Sequence, residues 1–154
     1  VNSTYNITDT IQVNNAGEIV SLKAYWDPGL SNSAQAQITR SAIESYAQAL
    51  AKLGSGGGIT DYLACFAGDG NFTDEDPVGN GNPAISTKAA LSQSMEQLKS
   101  KFAPNGNRVD FGDIAVSVDP TQAGVSFKLI TLNADGSVNS TYNITDAIQV
   151  NNAG

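Results

Sequence analysis

The chain has 154 residues, 40% of them hydrophobic and 15% charged, with a net charge of −7. That is one domain's worth of sequence, long enough for a core, and its charged fraction lies below the roughly 25% usual in globular proteins. The acidic balance offers no basic footprint for nucleic acid and disfavours anionic membrane surfaces, and no apolar run approaches the ~18 residues of a bilayer span.

The first element is also the last. Residues 1–17 read VNSTYNITDTIQVNNAG and residues 138–154 read VNSTYNITDAIQVNNAG; they differ only at Thr10 against Ala147 and set a period of 137 residues. Val1, Ser3, Tyr5, Ile7, Asp9, Ile11 and Val13 alternate with polar residues, which predicts a strand with one buried face. Tyr142, Ile144, Ile148 and Val150 hold the matching places in the second copy. Asp9 and Asp146 interrupt the apolar face, so a bulge, a break or a hydrogen-bonded acid is expected there. Asn14, Asn15, Ala16 and Gly17 close the run with turn residues.

Two explanations of the duplication compete. In one, the chain is a repeat of a longer array plus the opening strand of the next repeat. In the other, a strand is donated between subunits. An array in which each repeat lends a strand to its neighbour satisfies both. The plainer alternative is an isolated domain with a pseudo-symmetric pair of strands. The chain opens at Val1 without a signal-like segment, the expectation for a mature or excised piece.

Residues 18–26 read as a strand whose apolar positions Ile19, Leu22, Tyr25 and Trp26 do not alternate cleanly, so both faces are expected to be covered. A turn at 27–29 follows. Ser31 or Ser33 can cap a helix whose stripe is Ile38, Ala42, Tyr46, Ala49, Leu50 and Leu53, ended by Gly54. The glycine-rich 54–58 loop lacks the Gly-Lys-Ser/Thr ending of a phosphate cradle. Residues 60–67 read as a strand or a short helix. Cys65, the only cysteine, is expected to be a buried inert thiol.

The 68–76 stretch carries four of the fifteen acids. Asp69, Asn71 and Thr73 have the spacing that opens a calcium loop, but Asp74 stands where an EF-hand needs Gly, and Asn80 where it needs Glu. A looser calcium site built from Asp69, Asn71, Thr73, Asp74 and Asp76 competes with a solvated acidic loop, and no other cofactor is indicated. Residues 77–83 are loop. Ser86 can cap a second helix with Leu91, Met95, Leu98 and Phe102 on its buried stripe and Lys99 and Lys101 in its last turn. Residues 109–118 read as a strand with Ile114, Val116 and Val118 inward and Ala115 and Ser117 outward. A strand at 125–132 and a hairpin turn at 133–136, where Asp135-Gly136 supplies the positive φ, lead into the second copy.

The predicted order is β-β-α-β-α-β-β-β, an α+β layout with a mainly antiparallel sheet and two amphipathic helices. It divides into the repeated strand 1–17, an α+β module 18–137, and the second copy 138–154. The second copy has a natural partner in the strand before it. The first copy lacks that partner in this chain and would find it in a neighbouring module.

The inventory for catalysis is thin. No histidine is present, which removes imidazole-based nucleophile activation and histidine-bearing zinc sites. One cysteine removes four-cysteine sites, and no dinucleotide fingerprint occurs. Paired acids remain as a route to glycoside hydrolysis, but the expectation is that this is not an enzyme. Glycosylation tripeptides begin at Asn2, Asn6, Asn71, Asn139 and Asn143 and, with the low charge, point to an extracellular or cell-surface location. The functional expectation is an extracellular structural module of a tandem-repeat or filament-forming protein whose partners are neighbouring copies, paired through Tyr5, Ile7, Ile11, Val13 and their counterparts. The alternative is an adhesin-type binding module, with calcium.

Overall fold

The structure is a computed structural model that describes residues 7–26, 33–75 and 83–151. Asn2, Tyr5, Asn6, the turn at 27–29, Ser31, Asp76 and the loop at 77–82 lie outside the described residues, as does the side chain of Phe102. The α+β class holds. The elements are β1 (Ile7–Val13), β2 (Ile19–Trp26), α1 (Ala34–Gly54), α2 (Thr60–Ala64), α3 (Lys88–Phe102), β3 (Asn107–Val116), β4 (Gln122–Leu132) and β5 (Val138–Gln149). β1 and β2 form a two-stranded antiparallel sheet, and β3, β4 and β5 form a second sheet in that order. The described residues fall into two compact units, one drawn from 1–44, 110–128 and 143–154, the other from 45–109 and 129–142.

The core of the first unit is Ala36, Ile43, Val116, Ala123 and Val125, with Phe111, Ile114 and Ile148 packed against it. Ser33 starts α1, its Oγ accepting from the Ala36 N–H at 3.1 Å, which satisfies one of the orphan donors of the first turn. The deepest positions in the first half of α1 are Ala36, Thr39 and Ile43, whereas Ile38 and Ala42 are half-buried. Thr39 takes a place on the inner face because its hydroxyl donates to the Pro120 carbonyl at 2.6 Å, so burial leaves no polar atom unpaired. β3 ends at Val116. Val118 is therefore exposed rather than inward, because the Ser117 N–H bonds to the Gln122 carbonyl and the chain turns there. Ala115 is buried rather than outward, and with Val116 also buried both faces of β3 are covered at its end.

The second unit buries Ala49, Leu50, Leu53, Leu91 and Met95 and carries a cluster of aromatic rings. Tyr46, Tyr62 and Phe66 lie with centroids 5.2–6.4 Å apart, and Phe72 adds to Phe66 at 5.2 Å, the spacing of favourable ring pairs. The 60–67 run holds the short helix α2 over Thr60–Ala64, and Tyr62 on it meets Phe66 just past its end. Cys65 is exposed, not buried: it falls one position off the Tyr62–Phe66 face, and its Sγ donates to the Asp61 carbonyl at 3.4 Å. The N-cap of α3 is Thr87 rather than Ser86, its side chain accepting from the Ala90 N–H. No helix among the described residues is long and apolar enough to cross a membrane.

Candidate assembly strands

The two copies of the repeated stretch fold into different neighbourhoods. The first is β1, antiparallel to β2, with Ile7 opposite Trp26, Thr10 opposite Lys23, Ile11 opposite Leu22 and Val13 opposite Ile19. The connecting turn is built by Asn14. Its Oδ1 accepts from the N–H groups of Ala16 and Glu18 at 2.9 and 3.0 Å, and its Nδ2 donates to Glu18 Oε2 at 2.8 Å. Gly17 at φ +80° completes the turn, the positive φ that such a three-residue hairpin loop requires.

A register irregularity sits between Gln12 and Val13, not at Asp9, which faces Ala24 in regular pairing. It explains the broken alternation of β2. Ile19 faces Val13 and Leu22 faces Ile11, so Val20 is the extra residue of a bulge. Beyond it, Ile11, Val13, Ile19 and Leu22 share one face of the hairpin. That face is bare: Ile7, Ile11, Val13, Ile19 and Leu22 are each more than half exposed. The expectation that both faces of the 18–26 strand are covered is therefore corrected. Tyr25 is buried, with Lys23 Nζ 5.1 Å from its ring centroid, while residues 19–24 lie open.

The second copy is β5, reached from β4 through a turn that repeats the Asn14 geometry. Asn133 N–H bonds to the Ser137 carbonyl at 2.8 Å, Gly136 N–H bonds to the Asn133 carbonyl at 2.9 Å, and Gly136 has φ +80°. Asp135 Oδ1 accepts from the N–H and Oγ of Ser137 at 2.9 and 2.6 Å, which holds the Asp135 carboxyl below its ordinary value. At the far end the Val150 N–H bonds to the Thr121 carbonyl at 2.8 Å. Between those two anchors β5 takes 13 steps where β4 takes 12, so β5 contains a bulge. Past it the side chains alternate strictly. Ile144, Asp146 and Ile148 are half-buried, Val150 is buried, and Thr145, Ala147 and Gln149 are exposed. Val138 and Tyr142, before that segment, are exposed. Asp146, on the inward side, engages a partner there.

The same residue types thus have opposite fates. Val13 is 57% exposed and Val150 is 8% exposed. Ile11 is 53% exposed, whereas Ile148 packs against the first unit's core. Sequence reasoning found the strand and its apolar face but missed the part played by β2. The signal was present in the three-residue spacing of Ile19 and Leu22, which is the mark of a bulge.

The acidic loop is tied to backbone. Asp69 Oδ1 accepts from the Lys88 N–H at 2.8 Å, an orphan donor at the start of α3. Gly70 N–H bonds to the Ser86 carbonyl, and Asp74 and Ile85 exchange both backbone bonds. Asn71 and Thr73 are exposed. Among the described residues no three acidic, cysteine or histidine side chains come together as a metal site. Of the glycosylation tripeptides, Asn71, Asn139 and Asn143 are exposed, and Asn139 Nδ2 donates to Thr131 Oγ1 at 3.4 Å. Comparison with protein-family models, with curated proteins and with solved structures finds no match to this chain.

Proposed function

We propose that this chain is an extracellular structural module of a tandem-repeat or filament-forming protein, joined to neighbouring copies by strand pairing. One observation carries the reading. A 17-residue stretch occurs twice; over the described residues its first copy is held by β2 and its second by β4, with the apolar positions of 7–13 bare and those of 144–150 half-buried or buried. A strand shared between successive modules would meet both partners at once, and both apolar faces would then be covered. The low charge and the exposed Asn71, Asn139 and Asn143 support the extracellular placement.

The test is a two-module chain in which residues 1–154 are followed by a second 18–154. Stacked repeats are stabilised by nearest-neighbour interfaces. The two-module chain should therefore unfold as one unit at a higher midpoint than the single chain. Two modules melting at the single chain's midpoint would overturn the reading.

A further inference from the structure

We propose that the free outer edge of β5 takes the Ile19–Trp26 strand of a second copy of this chain, in the register that β1 holds with β2. The proposal rests on the module reading above and specifies its interface. β5 is the last strand of its sheet, so among the described residues one row of its backbone groups has no strand beside it. Its sequence over 144–150 is that of β1 with Ala147 for Thr10. Whatever side-chain pairing selects β2 for β1 is therefore also present on β5.

The backbone directions agree. The Asn14 N–H points to β2, bonding the Glu18 carbonyl at 2.9 Å, whereas the Val150 N–H points to β4, bonding the Thr121 carbonyl at 2.8 Å. Val150 is the counterpart of Val13, the neighbour of Asn14. Successive residues of an extended strand send their N–H groups to opposite edges. β5 thus spends on β4 the edge that β1 leaves open, and leaves open the edge that β1 spends on β2. One strand of this sequence can hold β4 and β2 together.

Two further observations favour this occupant. β5 is 12 residues long and carries no Lys, Arg or Pro. Its one charge, Asp146, lies on the inward side. Outward charges and Pro are common guards of an edge left open to solvent; β3, at the other side of the same sheet, carries Arg108, Asp110 and Asp113, whereas β5 has only its bulge and the inward Asp146. The register also places Ile19 opposite Val150 and Leu22 opposite Ile148. The bare apolar side of β2 would then continue the packed side of β5. β1, displaced by this exchange, gives up little burial, because Ile7, Ile11 and Val13 are already exposed, and a two-stranded hairpin alone is marginally stable. Each copy offers β2 and accepts on β5, a head-to-tail contact that propagates.

The experiment mixes two full-length chains in a Cys65→Ser background, one with Ala147→Cys and the other with Lys23→Cys, both with Thr10→Pro. The Thr10 N–H is directed at β2, so proline there weakens the competing hairpin. Residues directly opposite in a sheet lie within disulfide range. Oxidation should link the two chains about tenfold more than a control pairing Ala147→Cys with Ala24→Cys, whose side chains take opposite faces. In the Thr10→Pro chain, Ala147→Pro should lower assembly measured by light scattering about tenfold, because it removes a donor from the outer edge without removing a bond to β4. Ala147→Lys, which would face Lys23 of the second copy, should also weaken assembly, and Lys23→Glu should restore it; this pair serves if the proline variant fails to fold. Chains that assemble without the 147–23 link, or that assemble unchanged by substitutions at Ala147, would overturn the choice of strand and leave the module reading standing. Chains that stay monomeric and unlinked would overturn the proposal, and the melting of the two-module chain then decides the module reading by itself.

Discussion

Val13 and Val150 are the same residue of the repeated stretch and make a controlled comparison inside one molecule. Val→Ala removes two carbons, and each buried methylene contributes about 0.8 kcal/mol. At Val150, 8% exposed, the loss should be about 2 kcal/mol once a small cavity is included. At Val13, 57% exposed, the same change should stay within about 0.5 kcal/mol. For a chain of this length the first figure corresponds to a drop in melting temperature of about 4–8 °C, and the second to about 1 °C. Urea unfolding followed by circular dichroism, at a concentration where light scattering shows a monomer, reads both. A shared slope is required so that only the midpoint differs. Equal losses at the two sites would refute the reasoning, because they would mean that the bare side of β1 is covered in the monomer.

Thr39→Val should cost about 1–2 kcal/mol, because it leaves the Pro120 carbonyl without its 2.6 Å donor, and Thr39→Ser should recover most of that in the same urea assay. Asp69→Ala should destabilise by about 1 kcal/mol through loss of the bond to the Lys88 N–H, equally with calcium and with EDTA; a loss seen only with calcium would make Asp69 a metal ligand. The carboxyls of Asp119 and Asp135 are held below their ordinary value of 3.8, Asp119 chiefly by the Thr121 hydroxyl and Asp135 by the Ser137 hydroxyl. Their contribution to stability should be complete above that value and fall away as the pH drops through their lower folded pKa values. Melting temperatures between pH 2 and pH 5, compared with Asp119→Asn and Asp135→Asn, will show whether that acid slope belongs to them. Cys65, though exposed, has its thiol pushed up by partial burial and by the Asp61 charge, against an opposing effect of Lys88. Iodoacetamide should therefore label it more slowly than a free cysteine at the same pH.

The strands and helices were legible wherever the sequence repeats its apolar residues at a fixed period. Positions 144–150 alternate as expected, and Leu50, Leu53, Leu91 and Met95 are buried on their helices as the spacing implied. The misreadings share a cause. Periodicity places Ile38 in the core and passes over Thr39, because it ranks side chains by polarity and cannot see a carbonyl waiting 81 residues away. Val118 is exposed because the strand stops two residues before the run of alternation does, and Ala115 is buried beside Val116 because β3 is covered on both faces there. Cys65 lies in an apolar run but caps the end of a five-residue helix, off the side that Tyr62 and Phe66 share. For the assembly strands the duplication itself was plain in the sequence, while the bareness of β1 and the packing of β5 depend on what lies beside them, which no local pattern records.

The acid on the inward side of the repeated strand bears on how such a strand can be shared. Slipping β5 by one residue against β4 would turn Ile148 and Val150 to solvent and bring Thr145 and Ala147 inward. A slip of two residues keeps the apolar side inward and would ordinarily be the more tolerable error. Here it would move Asp146 to the place of Ile148, which packs against the apolar core cluster, or to that of Ile144, and in either place the carboxylate leaves the interaction it has in its native position. In its native place Asp146 is half-buried and engaged. A residue that interrupts the apolar pattern therefore disfavours the two-residue shifts that the pattern alone would permit. A strand meant to be read from both edges needs that restriction more than an ordinary one, since an error on the β4 side would displace every residue offered on the other.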